Sequence, residues 1–143
     1  QKMNDKLTYD TLLKNKNDLE LDFLKQTDSE LWIRLFQIEK KNKKVNRNVP
    51  QIELYFENYI SIHIDDEIYA PYTPGFKGHL FRTYKQSAML DYVKNETIAI
   101  PYLKASHGLA KSEKLKLTHY EICTFNSIIS VVTENEPEVK IVI

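Results

Sequence analysis

Chemistry in this chain would have to start from four histidines, one cysteine and a single dense acidic run. His63, His79, His107 and His119 are scattered, and no H-x-x-x-H, H-E-x-x-H or paired C-x-x-C places two metal ligands on one face. His63 and Asp65 stand two apart, the spacing that puts both on one face of a strand, where they could share a cation. Asp65, Asp66 and Glu67 lack the spaced oxygens and turn glycine of a calcium loop and read as a solvated turn. G-F-K-G at 75–78 has too few glycines to cradle a phosphate. Cys123 has His119 four residues before it, but along a strand that is roughly 13 Å, outside hydrogen-bond reach. Glu138-Val139-Lys140 has the E-x-K form of some nuclease sites, a pattern short enough to recur by chance. An enzymatic or ligand-binding reading therefore needs a dispersed site, drawn from residues such as His63, Asp65, His79 and Arg82. No cofactor motif is present, and we expect no cofactor and no catalytic constellation.

The elements that must position these residues are organised around 51–65, the longest run of alternating pattern. Ile52, Leu54, Phe56, Ile60, Ile62 and Ile64 are apolar, whereas Glu53, Glu57, Ser61 and His63 fall between them, so one sheet face is buried. Asn58 breaks the pattern at its midpoint and tolerates the left-handed conformation. The pattern predicts a hairpin with Glu57, Asn58 and Tyr59 in its turn, pairing Phe56 with Ile60, Leu54 with Ile62 and Ile52 with Ile64.

Upstream, residues 5–25 carry leucines at helix-compatible spacings, interrupted by Asn15 and Asn17. Residues 31–38 fit either a helix opened by Asp28 or a strand buried on both sides, and their β-branched and aromatic content favours the strand. Lys40, Lys41, Lys43, Lys44 and Arg47 form a basic loop with no aromatic to stack on bases, which favours a solvated loop over a nucleic-acid site. A short edge strand is expected at 67–70, then an irregular loop holding Pro71, Pro74, Gly75 and Gly78. Thr83 and Gln86 have capping-box spacing and predict a helix over 83–94 with a Tyr84, Ala88 and Tyr92 stripe. Residues 97–102 and 117–125 read as strands, 105–116 as a loop, 127–132 as a short helix capped by Asn126, and 139–143 as a terminal strand.

At 143 residues, with 42% hydrophobic and 28% charged, the chain fits one domain over 1–143. Twenty basic residues balance twenty acidic ones, so no global field draws it to nucleic acid or membrane. No apolar run is long enough to cross a bilayer, and residues 1–6 lack the apolar core of a signal peptide, although a chain opening on Gln could have lost one. The lone Cys123 fits a reducing cytoplasm. The expected fold is α+β: a mostly antiparallel sheet seeded by the central hairpin and packed against one or two helices.

Two segments carry a family likeness: F-R-T-Y-K-Q-S-A-M-L-D-Y-V-K-N-E-T at 81–97 and H-Y-E-I-C-T-F-N-S-I-I-S-V-V-T-E-N-E-P-E-V at 119–139, about a quarter of the chain. They resemble small Gram-positive bacterial proteins, some encoded beside secreted polymorphic toxins of the LXG type and regarded as their immunity proteins. The resemblance implies a cytoplasmic protein that binds and neutralises a cognate toxin, and it brings no functional residues with it. Nine tyrosines suit such an interface, since they give rigid amphipathic contact area. The expected contact set is Tyr59, Asp65, Asp66, Glu67, Tyr69, Tyr72 and His79, which joins acidic and aromatic side chains. Two alternatives stand beside it, the dispersed enzyme or ligand site and nucleic-acid binding through 40–47.

Overall fold

The structure is a computed structural model and describes residues 7–41, 44–46 and 49–142. In chain order its elements are α1 (Tyr9–Leu12), β1 (Asp18–Gln26), β2 (Glu30–Lys41), β3 (Lys44–Asn46), β4 (Gln51–Glu57) and β5 (Ser61–Asp66). A 3-10 turn at Glu67–Tyr69 follows, then β6 (Lys77–Gly78), β7 (Phe81–Tyr84), α2 (Ala88–Glu96), α3 (Ala99–Ser106), β8 (Thr118–Cys123), β9 (Ser127–Thr133) and β10 (Glu138–Val142). Among the described residues the strands form two antiparallel sheets, β1-β2-β4-β10 with β3 on β2, and β5-β9-β8-β7-β6. The fold is α+β, as expected from the sequence.

The sheets pack face to face. Leu31, Ile33, Leu35, Ile52, Leu54 and Phe56 of the first meet Phe81, Tyr120, Ile122, Ile129 and Val131 of the second, all of them buried. Tyr9 and Leu12 of α1 join this core. The Tyr9 hydroxyl lies 3.0 Å from the carbonyls of both Arg82 and Glu121, so it finds partners despite burial and ties β7 to β8. A second cluster sits on the opposite face of the second sheet, where Leu90 and Val93 of α2 pack on Leu117 and Val132.

The expected central hairpin does not form. β4 pairs with β2 and β10, and β5 pairs with β9, so the two halves of 51–65 lie in different sheets. Asn58 does take φ +54°, and its N–H reaches the Ser29 carbonyl at 2.7 Å, but the turn it makes hands the chain from one sheet to the other. Phe56 therefore opposes Leu31, and Ile62 opposes Val131. Alternation fixes which side chains share a face and says nothing of which strand lies alongside. Ile62 still points to the core, whereas Ile64 is half exposed near the end of its edge strand.

Other corrections have local causes. Residues 18–26 are strand, not helix: a bulge between Leu21 and Phe23 breaks the alternation, leaving Leu19, Leu21 and Leu24 inward at uneven spacing. The helix expected over 83–94 starts later. Thr83 pairs with Tyr120 inside β7, and Ser87 is the cap, its Oγ accepting from the Leu90 N–H at 3.1 Å. Its buried side is thus Leu90 and Val93, with Tyr92 facing out and Tyr84 left in the sheet.

Residues 99–106 are helix rather than strand, with Pro101 in the first turn, where a missing N–H costs nothing. Residues 127–133 are strand rather than helix, in keeping with their β-branched run. The expected edge strand at 67–70 is the 3-10 turn, capped by Asp66 Oδ1 on the Ile68 N–H at 3.0 Å. The strand readings for 31–38, 117–125 and 139–142 correspond to β2, β8 and β10, with Ile143 outside the described residues, although β2 buries mainly one face, with Phe36 exposed on the other. Of the basic loop, 40–41 and 44–46 are paired strand, and Asn42, Lys43, Arg47 and Asn48 lie outside the described residues.

Candidate functional site

Strands β5, β9, β8 and β7 present opposite chemistry on their two faces. The outward face carries a cross-strand row, His63 beside Ser130, Ser130 beside Glu121, and Glu121 beside Arg82. At about 4.8 Å per strand the row is roughly 14 Å long. His119 precedes Glu121 by two residues on β8, and Asp65 follows His63 by two on β5, so both share this face.

Glu121 is the hub. Its Oε1 accepts from the Tyr84 hydroxyl at 2.8 Å, meets Arg82 Nη1 at 3.3 Å and takes a weak Cys123 thiol contact at 3.8 Å. Its Oε2 receives much less: the Ser130 hydroxyl at 3.4 Å, with His119 Nε2 4.0 Å away. The residue is buried, so its charge depends on these partners. Burial and the hydrogen bond to Glu121 push the Tyr84 phenol well above its ordinary range, so it stays a donor.

His119 is 4% exposed. Its ring stacks on Tyr84 with centroids 4.6 Å apart, Nδ1 lies 2.8 Å from Ser87 Oγ, and Nε2 is buried with no hydrogen-bond partner. Burial pushes its pKa down to about 4, so the ring is neutral near pH 7. Ser87, His119 and Glu121 together resemble a nucleophile relay only in composition. The Ser87 hydroxyl is held as a helix cap, the imidazole is a weak base, and 4.0 Å is too long for the bond that would orient it. Cys123 on the same face is no better a nucleophile, because burial pushes its thiol up to about 12.

Above this face lies a cleft of about 520 Å³. His63, Asp65, His119, Glu121 and Ser130 line it together with the apolar Ala70, Pro71, Met89, Tyr92 and Ile128. One wall is the start of α2, and another is the 70–76 loop, which crosses the sheet. That loop is held where the Tyr84 hydroxyl meets the Thr73 carbonyl at 3.4 Å and where Phe76 lies 4.0 Å beneath the Arg82 guanidinium. A second depression of about 760 Å³ opens near Lys77, Lys85 and Lys116.

The expected contact residues are distributed unevenly. Asp65, Asp66, Glu67, Tyr69 and Tyr72 run consecutively along the end of β5 and the start of the crossing loop, and Ile68 joins them; Ile68, Tyr69 and Tyr72 are 83%, 81% and 77% exposed. Asp65 also lines the cleft, where its Oδ1 meets His63 Nε2 at 2.9 Å, the shared face expected for that pair. Tyr59 stands at the other end of β5, packed on the inter-sheet core and bonded to Gln26. His79 is exposed at the β6–β7 turn, the far edge of the sheet, its carbonyl accepting from Arg82.

Sequence reasoning missed His119, Glu121, Ser130, Tyr84 and Ser87 as a group. The one available signal was polar residues at alternate positions of a strand-like run, H-Y-E-I-C. Among the described residues no group of three or more carboxylate, imidazole or thiol side chains is arranged to hold a metal ion, and no helix is long and apolar enough to cross a membrane. Neither protein-family models, nor curated proteins, nor solved structures give a match to this chain.

Proposed function

We propose that the protein works by stoichiometric binding of a basic protein partner through the segment 65–72. The observation that carries this is the run of Ile68, Tyr69 and Tyr72, more than three-quarters exposed, flanked by Asp65, Asp66 and Glu67. Large side chains this exposed and this close together mark interaction surfaces, and tyrosines are frequent anchors. Carboxylates around them steer an oppositely charged partner into register and disfavour acidic ones. The likeness of 81–97 and 119–139 to toxin-immunity proteins gives the kind of partner, a cognate toxin neutralised in the cytoplasm.

The test is capture of the partner from the native host, followed by titration of the purified pair. Tight one-to-one binding that Asp66→Lys with Glu67→Lys, or Tyr69→Ala with Tyr72→Ala, weakens at least about tenfold is the expected result. Equal binding by wild type and both variants would remove this surface from consideration. Substrate turnover by the purified protein would replace the binding reading with an enzymatic one.

A further inference from the structure

The cleft on the outward face of the second sheet shares Asp65, Ala70 and Pro71 with the 65–72 segment but none of Asp66, Glu67, Ile68, Tyr69 and Tyr72, and its floor has a chemical asymmetry. Glu121 Oε1 is surrounded by donors, whereas Oε2 has one long contact from Ser130. The neighbouring His119 Nε2 is buried and unpartnered in the same floor. A buried carboxylate oxygen and an imidazole nitrogen left this poorly satisfied are an exception to how interiors are normally built. The lining holds two carboxylates, Asp65 and Glu121, and no lysine or arginine among the described residues. Its walls are apolar, formed by Met89, Ile128, Ala70 and Pro71, with Tyr92 at the rim.

We propose that this cleft binds a small primary amine, whose ammonium group docks on Glu121 Oε2 and Ser130 Oγ while its hydrocarbon stem lies along Ile128 and Met89. Each feature selects for that chemistry. A carboxylate with open acceptor capacity prefers a charged donor, and such hydrogen bonds are stronger than neutral ones. An anion would meet two carboxylates without a fixed cation, since Arg82 is turned to Oε1. A divalent metal would need more ligands than the cleft offers. A quaternary ammonium has no N–H for Oε2, and Tyr92 alone is not an aromatic cage. The volume is within the range of small-molecule sites. His119, neutral through burial, leaves the Glu121 charge uncompensated on the Oε2 side.

The experiment titrates isotope-labelled full chain with n-butylammonium, n-butanol and butyrate, which share a stem and differ in head-group charge, and follows amide and imidazole resonances near neutral pH. Butylammonium should shift Ser130, Glu121, Met89 and the His119 ring and bind at least about tenfold more tightly than the other two. Glu121→Gln should abolish that preference, with unchanged Ile122 and Val131 resonances showing that the core is intact. Should this variant not fold, Ala88→Trp is the second: Ala88 is exposed and lines the cleft, so the indole obstructs it without entering the core. Asp66→Lys with Glu67→Lys should leave amine binding unchanged, which separates failure of this proposal from failure of the protein-binding reading. Equal affinity for all three probes, no shifts in the cleft, or shifts confined to Asp66, Glu67, Ile68, Tyr69 and Tyr72, none of which lines it, would overturn it.

Discussion

Strands β8 and β9 are the same backbone read from two sides, and the two sides obey different rules. On the inward side Tyr120, Ile122, Ile129 and Val131 bury apolar surface against the first sheet, where neighbours of similar volume would serve almost as well. On the outward side His119, Glu121 and Ser130 are equally buried but polar, and each depends on a particular donor or acceptor. Burial of a polar group without partners is costly, so a folded chain that keeps such a row on one face of its sheet has retained it against the simpler apolar solution. The difference teaches what each side requires: the inward face holds the fold together through apolar burial, and the outward face depends on which polar atoms meet.

The sharpest way to break the contrast is to place a charge on the inward side. Val131→Asp puts a carboxylate among Phe56, Ile129 and Tyr120 with no partner, and should cost roughly 4–5 kcal/mol or more, enough to unfold a domain of ordinary stability. Ser130→Val, one residue away on the outward side, loses only the 3.4 Å contact to Glu121 and should cost about 1 kcal/mol. Denaturant melts of the two variants compare the faces directly. Similar midpoints for both would mean the faces do not differ as described.

Acid should expose the outward face next. His119 has its folded pKa near 4 and an unfolded value near 6.5, so the unfolded chain takes up a proton first as pH falls. The stabilising effect of keeping this ring neutral is full above about pH 6.5 and is lost through the window down to about 4, by about 3 kcal/mol in all. Glu121 Oε2 at 4.0 Å, Ser87 Oγ at 2.8 Å and the stacked Tyr84 ring are the groups that face it. His119→Phe keeps the stack and removes the titration, so its stability should fall less than that of wild type between near pH 7 and near pH 4.5. An identical fall in both proteins would assign the acid sensitivity to other groups.

Legibility of the sequence followed the same division. The α+β class and the strands around Trp32, Ile122 and Ile141 could be read from β-branched and aromatic content, and the shared face of His63 and Asp65 from alternation, which reports on faces. Strand partnership could not: the run 51–65 satisfies a hairpin and a sheet-to-sheet crossover equally well, and only the distant strands β2, β9 and β10 decide between them. The bulge at Leu21/Phe23 turned a strand pattern into a helix-like one, and Thr83 competed with Ser87 for the same helix start. The cleft floor was hidden for a related reason. Tyr84, Glu121 and Ser130 lie on three strands, and their juxtaposition exists only once the register between them is set. The exposed 65–72 run was legible because it is contiguous.

The smallest effect belongs to that run, and it bears on whether the exposed surface is part of the fold at all. Tyr69 and Tyr72 leave most of their rings in solvent, and the nearest aromatic contact is the loose edge packing of Tyr72 on Phe76, with centroids 6.5 Å apart. Replacing both with Ser removes little buried area, and the 3-10 turn keeps its Asp66 cap. Stability should therefore change by no more than about 0.5 kcal/mol in either direction, the usual range for surface sites without special features. A loss several times larger, measured by the denaturant midpoint, would show that these rings close over the 70–76 loop in solution and act as packing. A negligible loss would show that these rings do not hold the fold together, which the binding reading requires of large aromatic side chains kept in water beside three carboxylates.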